Sequence, residues 1–364
     1  MIVNDVIKLL DQLSPLSYAE DFDNVGLLVG DLQMNVSGIL VTLDTLEDVV
    51  DEAIENNCNL IVSFHPIIFR GLKNFTGKTY VERVVMKAIK NDIAIFAIHT
   101  ALDNALQGVN AMICKKLNVK NPKILIPQPK TVKKLTTFVP VNEADKLREA
   151  LFNAGAGNIG NYSNCSFNTN GIGTYKGNLD SNPTVGKIGV TQFEKETQIS
   201  CIFPKHLETK ILQTLFKTHS YEEVAYEVKT IDNTNQDIGM GMIGEIEEEI
   251  SETAFLKMVK EKMKTPCIRY SKFRNKNVKK VAVLGGSGSF AIGAAKAANA
   301  DVFITSDLKY HDFFTAENNI LLADIGHYES EQYTKNLIVS YLTKKIPNFA
   351  IILSKTNTNP VKYL

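Results

Sequence analysis

The chain has 364 residues, enough for two or three domains, and its 40 Lys and Arg residues balance 40 Asp and Glu residues. A net charge of zero does not favour nucleic acid or a lipid surface as a partner. Hydrophobic residues make up 44% of the chain, which is ordinary for a globular protein, and no apolar run approaches the ~20 residues of a membrane span.

The five cysteines are scattered and include no Cys-x-x-Cys pair. The N-terminal segment lacks the basic region and apolar core of a signal peptide. We therefore expect reduced, mostly buried thiols in a cytoplasmic protein. Any bound metal would then depend on histidines and carboxylates.

The first third of the chain predicts alternating strands and helices after an amphipathic helix at 3–13. The strands are predicted at 38–44, 59–63 and 93–98, and the helices at 46–57, 80–90 and 108–117. Short apolar runs separated by amphipathic stretches of helix length are typical of β-α-β units in a largely parallel sheet.

The character of the sequence changes near 126–133, a Pro- and Lys-rich stretch that we interpret as a linker. Strand, helix, a stretch rich in Gly, Asn, Ser and Thr, strand, helix and strand follow, with the regular elements at 135–139, 143–153, 198–203, 206–218 and 223–230. This order is the ferredoxin-like split β-α-β pattern, so we place an inserted α+β domain at 128–235.

The first pattern then resumes to the end of the chain. The predicted helices are 253–263, 290–299, 310–317 and 328–345, and the predicted strands are 279–284, 301–305, 320–324 and 350–354. The predicted fold class is therefore α/β, with core segments 1–127 and 236–364 on either side of the insertion.

His327 and Glu331 are the most informative pair of residues. They are four apart at the head of a predicted helix that follows a strand, so an imidazole and a carboxylate share one helix face. Such a pair suggests a divalent metal site. The alternative is a surface helix with a solvated acidic first turn, which suits the helix dipole.

Other histidines lie close to predicted strand ends. His65, His99 and His327 each follow an apolar strand, and His311 comes six residues after one. Carboxylates accompany them at Asp103, Asp307, Asp324, Glu329 and Glu331. Because the carboxyl ends of parallel strands meet at one edge of a sheet, this pattern favours a metal or catalytic site there.

Two glycine-rich stretches suggest other functions. Gly286-x-Gly288-x-x-Ala291 fits the relaxed dinucleotide fingerprint, with Asp307 about twenty residues on, although such a turn also serves tight packing. The stretch 71–79 has five residues between its glycines where a Walker A loop has four, so it is not a nucleotide triphosphatase loop. No Gly-x-Ser-x-Gly elbow supports a serine hydrolase.

Five motifs together resemble one family. They lie at 18–30, 63–69, 97–104, 305–311 and 324–331. In this order they are similar to the Nif-three-like family of dinuclear-metal-centre proteins, commonly labelled GTP cyclohydrolase I type 2 homologues. Segments 152–162 and 219–226 resemble the PII- or CutA-like module of the longer members.

The resemblance implies two α/β halves flanking a metal cleft and assembly as a hexameric ring. It implies two divalent ions (Zn, Fe or Mn) held by His65, Asp103, His327 and Glu331, with Glu331 as the bridge. Many members have two adjacent histidines before the proline, and this chain has Phe64 at the first position. Either His99 approaches the second ion, or water completes its coordination, or that site is weaker.

Two functions remain open. In the first, the protein is a metal-dependent hydrolase of a nucleotide or phosphoester, in which the ions lower the pKa of water and His99 or Glu329 acts as general acid or base. In the second, it is a metal-binding assembly for interaction or regulation, since ferredoxin-like modules commonly mediate oligomer contacts or sense small molecules.

Overall fold

Helices and strands alternate along the chain, which the computed structural model describes from residue 1 to residue 364. Contacts separate a core unit, made of Met1–Pro127 and Gln236–Leu364, from an insertion unit, Gln128–Asn235. Both units mix helices and strands, so the predicted α/β class is confirmed. None of the helices has the length and apolar character that a membrane crossing requires.

The strands form three sheets. In chain order they are β1 (Gly26–Val29), β2 (Ile39–Thr42), β3 (Leu60–Ser63), β4 (Ala94–Ala97), β5 (Lys120–Pro127), β6 (Val132–Pro140), β7 (Phe167–Tyr175), β8 (Gln192–Pro204), β9 (Tyr226–Ile231), β10 (Gly239–Ser251), β11 (Arg269–Tyr270), β12 (Asn277–Ser287), β13 (Val302–Ser306), β14 (Leu321–Asp324) and β15 (Ile351–Leu353).

The α-helices lie mostly between strands. They are α1 (Val3–Leu13), α2 (Glu47–Glu55), α3 (Tyr80–Lys90), α4 (His99–Asn104), α5 (Val109–Leu117), α6 (Ala144–Ala154), α7 (Glu208–Thr218), α8 (Glu252–Met263), α9 (Ile292–Ala297), α10 (His327–Glu331) and α11 (Thr334–Lys345). Short 3₁₀ helices occur at Leu16–Tyr18, Val141–Glu143, Lys205–Leu207, Ser289–Ala291 and Tyr310–Ala316.

The first sheet of the core unit has the strand order β1-β4-β3-β2-β15, and only β1 is antiparallel to its neighbour. Its central strands are buried on both faces. Val41 and Val62 belong to the large central core, whereas Leu40 and Ile61 pack with the apolar faces of α2 and α3. Such uninterrupted apolar runs are what parallel strands covered on both sides require.

The second sheet has the order β11-β14-β13-β12-β10-β5. It is parallel from β12 to β14 and antiparallel at both edges, so it is more mixed than the sequence predicted. β15 joins the first sheet and β5 joins the second. Each sheet therefore takes one strand from the other half of the core sequence.

One buried cluster contains side chains from both sheets and from the apolar faces of α1, α5, α8 and α11. Phe96, Phe255 and Ile304 are examples of its fully buried members. At about 25 cal/mol for each Å² of apolar surface removed from water, this shared burial stabilises the packing of the two sheets against each other.

The insertion unit has the order β-α-β-β-α-β, and its four antiparallel strands are arranged β7-β8-β6-β9. Leu151 of α6 and Leu215 of α7 pack against Leu135, Ile199 and Phe203 of the sheet. The unit thus has a hydrophobic core of its own, and the opposite face of the sheet has no helix from this cluster.

Three predicted elements differ from the structure. The predicted linker at 126–133 contains the end of β5 and the start of β6, which leaves only 128–131 as a turn. The predicted helix at 328–345 is divided into α10 and α11, and the Gln332 side chain at the break donates to Met263 O at 2.8 Å. The predicted helix at 310–317 is a 3₁₀ helix.

Candidate metal centre

The carboxyl ends of three strands in the first sheet bring polar side chains to one edge. Asp44 follows β2, His65 follows β3 and His99 follows β4. Hydrogen bonds extend the pairing past these ends, since the Phe64 N–H donates to Thr42 O at 3.1 Å and the His99 N–H donates to Phe64 O at 2.9 Å. The edge is the usual ligand position in α/β sheets.

The second sheet contributes Asp307 after β13 and the helix α10 after β14. Gly326 precedes this helix with φ +90°, and a Cβ there would lie 2.2 Å from Glu329 Oε2. Only glycine fits this conformation and this close approach. The turn places His327 and Glu331 on the first turns of the helix, facing the end of the first sheet.

Glu331 occupies the centre of the site. Its Oε2 lies 3.2 Å from His65 Nε2 and 3.2 Å from His327 Nε2, and the side chain is 3% exposed. This buried oxygen has no hydrogen-bond partner, and the ligand atoms of the three residues all lie within 4.8 Å of one another. Two ligands of a common ion at ~2.1 Å are about 3.0–3.4 Å apart at octahedral or tetrahedral angles, so the spacing fits a divalent metal.

Three histidines share one arrangement, in which an aspartate contacts Nδ1. The pairs are His65–Asp44 at 2.8 Å, His327–Asp307 at 2.7 Å and His99–Asp23 at 2.8 Å. A carboxylate on Nδ1 fixes the ring orientation and increases the basicity of Nε2 as a metal ligand. The sequence had indicated Asp307 as an accompanying acid, but it gave no such role to Asp23 or Asp44.

The two imidazoles beside Glu331 are strongly basic in the metal-free protein. Burial opposes the charged form of His65, but the Glu331 and Asp44 carboxylates outweigh burial and raise its pKa to about 10. Burial also opposes the charge on His327, and Asp307 and Glu331 raise its pKa to about 11. In the metal-free protein, the two protonated rings therefore supply positive charge where a metal cation would lie.

Asp103 carries a second buried oxygen without a partner, Oδ1. Burial raises the pKa of Asp103, and the neighbouring Glu331 charge raises it further. Burial opposes the ionisation of Glu331 as well, but the charges of His65 and His327 hold its pKa below the usual range. A bound cation would favour the ionised form of Asp103 beside Glu331, which fits a second metal position.

Phe64 is fully buried in the central core and offers no ligand atom. Its ring lies beside both neighbouring imidazoles, and the His65 and His99 rings are 5.1 Å apart between centroids. His99 has φ +24°, a strained conformation for a non-glycine residue, and it lies one helical turn from Asp103 on α4. The strained backbone thus turns the His99 ring toward the cluster.

Asp23 fixes His99 in this position. Its second oxygen accepts from the Thr100 N–H at 3.0 Å and from the Thr100 hydroxyl at 2.5 Å. Burial would raise the pKa of Asp23, but the hydrogen bonds from His99 and Thr100 outweigh burial and lower it to about 2. Asp23 is therefore a permanent anion beside His99.

The glycine-rich turn at the end of β12 packs against the carboxylate helix. Gly286 has φ +71°, and a Cβ there would lie 2.4 Å from Glu331 Oε1. Its N–H donates to Ser330 Oγ at 2.9 Å, and the Gly285 N–H donates to Asn110 Oδ1 at 3.0 Å. Close approach to Glu331 accounts for Gly286, and contact with Thr305 accounts for Gly288, where a Cβ would lie 2.1 Å from Thr305 Oγ1. Packing therefore explains both glycines of the dinucleotide fingerprint.

A cavity of about 440 Å³ opens beside the histidines. His65, His327 and Glu329 line it together with Arg269, whose guanidinium bonds Asp324 and, at 2.9 Å, Leu308 O. Glu329 is buried and points to the cavity rather than to the Glu331 cluster. A small molecule in this cavity would contact both histidines and the Arg269 guanidinium.

The C-terminal segment (354–364) closes over the same region. Glu52 holds its start by accepting from Ser354 Oγ at 2.6 Å, from the Lys355 N–H at 2.7 Å and from Thr356 Oγ1 at 2.7 Å. Burial would raise the pKa of Glu52, but these hydrogen bonds lower it. The segment is therefore fixed to α2 before it reaches the site.

Further along, the segment touches the residues that surround the cluster. The Thr358 hydroxyl donates to Asp44 Oδ2 at 2.6 Å, and Asn359 Nδ2 donates to Glu329 Oε1 at 3.0 Å. Since Asp44 also contacts His65, the last residues of the chain help to orient an imidazole at the end of β3. The sequence gave no sign of this contact.

The predicted site residues are not all equivalent in the structure. His65, His327 and Glu331 form one cluster, and Asp103 and His99 lie next to it on α4. Glu329 lines the adjoining cavity. His311 is exposed and stacks with Tyr310 and Phe314, so it belongs to the surface.

Comparison with known proteins agrees over the full length of the chain. A family model described as Duf34/NIF3 (NGG1p interacting factor 3) matches residues 1–360. A Bacillus subtilis (strain 168) protein named GTP cyclohydrolase 1 type 2 homolog is 38% identical over 368 residues, with 99% of this chain and 98% of that protein covered.

Solved structures give the same result. A Bacillus cereus protein related to NIF3 has a TM-score of 0.88 at 35% identity, and the match covers 100% of this chain and 99% of that one. The Staphylococcus aureus protein SA1388 has a TM-score of 0.78 at 30% identity, with 100% and 99% covered. The predicted family resemblance is confirmed, and the chain belongs to the Duf34/NIF3 family.

Proposed function

We propose that this protein binds divalent metal ions at the Glu331 cluster and uses them to hydrolyse a nucleotide or another phosphoester. The observation that carries the proposal is the convergence of the buried Glu331 Oε2 with two Nε2 atoms, each 3.2 Å away, where the oxygen accepts no hydrogen bond. In the metal-free protein the charge of this carboxylate is balanced only by ion pairs with the two imidazoles, and a metal cation, bound by the imidazoles as neutral ligands, would take the place of their charges. The names of the relatives, which refer to GTP, make GTP the first compound to test.

One ion would be held by His65, His327 and Glu331. A second would be held by Asp103 and Glu331, which supports Glu331 as the bridge, because Asp103 Oδ1 is the other buried carboxylate oxygen that accepts no hydrogen bond. Zn, Fe and Mn all accept such a set of nitrogen and oxygen ligands. When bound, these ions would act as Lewis acids toward a phosphoryl or carbonyl oxygen and lower the pKa of water.

The chain's own residues would bind and orient the substrate. Arg269 would contact an anionic group in the cavity that the histidines line. Asp44 and Asp307 would keep the His65 and His327 rings fixed as ligands. Glu329, on the cavity wall, is our candidate for the group that exchanges a proton with substrate or water.

His99 has two candidate roles, as ligand of the second ion or as general acid or base. Asp23 contacts its Nδ1, so Nε2 is the atom available for either role. A His99→Gln variant separates the two. Loss of one bound ion per chain would identify a ligand, whereas unchanged stoichiometry with slower turnover would identify a proton carrier.

The decisive experiment measures metal and turnover on the same preparations. Protein loaded with Zn, Fe or Mn should contain two ions per chain by elemental analysis, and anomalous diffraction should place them beside Glu331. Turnover should be followed with GTP and with a general phosphoester, with formate release reporting ring opening and phosphate release reporting ester hydrolysis. His327→Ala should lose metal and activity, and His311→Ala is the matched surface control.

If the protein binds metal at the cluster but turns over none of these compounds, the proposed hydrolase function is wrong and the second candidate function remains. That candidate is a metal-binding scaffold or regulatory protein, which the separate hydrophobic core of the insertion favours. We propose a ferredoxin-like, PII- or CutA-like identity for this unit, supported by its strand order β7-β8-β6-β9. Replacing 128–235 by a short turn should leave metal binding and turnover intact if catalysis is the main function.

We also propose that the protein is cytoplasmic and self-associates, as the hexameric ring that the family resemblance suggests. All five cysteines are free, which suits a reducing compartment. Ile172 on β7 and Phe193 on β8 are 68% and 72% exposed, and apolar side chains of this size on a hairpin suit contact with another copy. Light scattering should give six chains per particle, and a monomer would contradict this assembly.

A further inference from the structure

The insertion unit contains a cavity of about 560 Å³ that the metal chemistry does not use. It lies on the sheet face opposite α6 and α7, where Phe138 of β6, Tyr175 of β7 and Glu196 of β8 form part of its wall. Tyr221, in the loop before β9, completes this wall. The volume is in the range of small-molecule sites, about 300–1,000 Å³.

Glu196 is a buried carboxylate without a cationic partner. It is 8% exposed, its Oε1 accepts from the Tyr221 hydroxyl at 2.9 Å, and it forms no ion pair with any Lys, Arg or His. The nearby His219 does not supply the charge, because its Nδ1 accepts from the Tyr221 N–H at 3.0 Å and its Nε2 contacts Phe138 O at 2.8 Å. One ring nitrogen of His219 therefore accepts a hydrogen bond and the other donates one, which is the pattern of a neutral imidazole.

The second carboxylate oxygen of Glu196, Oε2, lies close to the backbone of Gly173. A Cβ at Gly173 would lie 2.1 Å from Glu196 Oε2, so any side chain there would displace the carboxylate. Gly171, the residue paired with Glu196 across the strands, also leaves open space, since nothing lies within 4 Å of a Cβ built there. Gly173, which lines the cavity, therefore leaves room beside the carboxylate.

The rest of the wall is aromatic and negatively charged. The Tyr175 and Tyr221 rings are 5.9 Å apart between centroids, and the Tyr175 hydroxyl donates to Val185 O at 2.9 Å. Burial and the Glu196 carboxylate raise the pKa of Tyr221, so its phenol remains a donor. The charged residues of the lining are three glutamates and one lysine, namely Glu196, Glu222, Glu223 and Lys176.

We infer that this cavity binds a small organic ammonium ion with an apolar body. The ammonium group would donate to Glu196 and lie against the Tyr175 and Tyr221 rings, whose faces attract cations. The apolar body would pack on the aromatic wall. Phosphates and other anions are disfavoured, because the glutamates would repel them and a buried carboxylate would remain unpaired.

A charge series tests the inference on the full-length protein. The probes are 2-phenylethylamine, 2-phenylethanol and 3-phenylpropionate, which share a phenyl ring and differ in charge, and titration calorimetry measures their binding. The amine should bind one equivalent saturably, at least about tenfold more tightly than the alcohol, and the carboxylate should not bind. Hydrogen bonds to charged groups contribute about 1.5–3 kcal/mol, so Glu196→Gln should weaken the amine about 10- to 150-fold.

Glu227→Gln, on the exposed strand β9, is the matched control and should bind the amine as the wild type does. Thermal melting provides a second readout, because the amine should raise the Tm of the wild type and not that of Glu196→Gln. The inference is overturned if 2-phenylethylamine does not saturate the wild type. It is also overturned if folded Glu196→Gln binds the amine with unchanged affinity.

Discussion

Glu331 and Glu196 are both buried carboxylates, but their surroundings differ. Glu331 lies between two imidazoles at the meeting point of two sheets, with a second carboxyl group, Asp103, nearby. Glu196 accepts a hydrogen bond from one phenol, that of Tyr221, and no Lys, Arg or His forms an ion pair with it. Burial of a carboxylate is costly in both places, so each position calls for a cation of different chemistry.

The difference shows how neighbours determine which cation a buried carboxylate accepts. Fixed Nε2 atoms and short ligand spacings suit a small divalent ion, whereas aromatic faces and a wide cavity suit an organic cation. The Glu331 cluster is held by outer aspartates, and Glu196 is held by a single tyrosine. We therefore expect larger effects from substitutions around Glu331.

The largest effect should come from Glu331→Gln. Loss of an outer-shell partner commonly costs 10- to 100-fold in metal affinity, so loss of a direct ligand that also bridges should cost more than about 100-fold. Glu196→Gln should leave metal affinity unchanged. Titration calorimetry with Zn on both variants measures this contrast. Equal metal affinity in the two variants would contradict the different roles of the two carboxylates.

Metal binding should release protons. Because the pKa values of His65 and His327 are about 10 and about 11 in the metal-free protein, both rings carry a proton at pH 6–8 and must lose it to bind an ion. Affinity should therefore rise about a hundredfold per pH unit in this range, and about two protons should be released for the first ion. Calorimetry in buffers of different ionisation enthalpy counts them, and a pH-independent affinity would contradict the raised pKa values.

The aspartates behind the histidines should have a smaller effect. Asp44→Asn and Asp307→Asn should each weaken metal binding about 10- to 100-fold, because the ring behind each loses its orienting carboxylate. Asp44 is the less exposed of the two, at 31% against 47% for Asp307, so its substitution should cost more. Equal or reversed losses, measured by metal competition with a chelator, would show that solvent exposure does not set the order.

The smallest effect should be on the C-terminal segment. Glu52→Gln removes the acceptor that Ser354, Lys355 and Thr356 share, and we expect a loss of about 1–2 kcal/mol of unfolding free energy. The folded pKa of Glu52 is lowered, so its contribution is present above the ordinary value of 4.5 and is lost as pH falls through the folded value. Urea unfolding at pH 7 and pH 3 checks this, with Glu55→Gln as control on the same helix.

If the wild type and Glu52→Gln differ as much at pH 3 as at pH 7, the carboxylate is not the origin of the stability. If Glu52→Gln has the expected loss of unfolding free energy at pH 7 but keeps its metal affinity, the segment is fixed to α2 independently of the metal site. A weakened metal affinity would instead connect the segment to Asp44 through Thr358.

The alternation of apolar runs and amphipathic stretches was sufficient to predict most elements of the core unit, because the parallel strands are buried on both faces. It failed for β10, whose run of glutamates and glycines is unlike a buried strand, and for β5, whose last two residues lie in the predicted linker at 126–133 and whose other residues had no predicted element. Both strands are stabilised by antiparallel pairing with each other, a non-local contact that no local pattern reports.

The site shows the same limit. The pair His327 and Glu331 was predictable because residues four apart on a helix are close both in sequence and in space. His65 and Asp103 were identified as ligands through the family resemblance. Asp44 and Asp23 were not predictable as partners, because the rings that they contact come from other strands. The contact of Thr358 with Asp44 spans 314 residues and was equally hidden.

That last contact has a consequence for the order in which the protein is made. Asp44 and His65 are synthesised well before Glu331, the strand β15 and Thr358. At 5–20 residues per second, the interval between Asp44 and Thr358 is roughly 15–60 s. The Asp44–His65 pair of the proposed metal site can therefore gain its contact with Thr358 only after that interval.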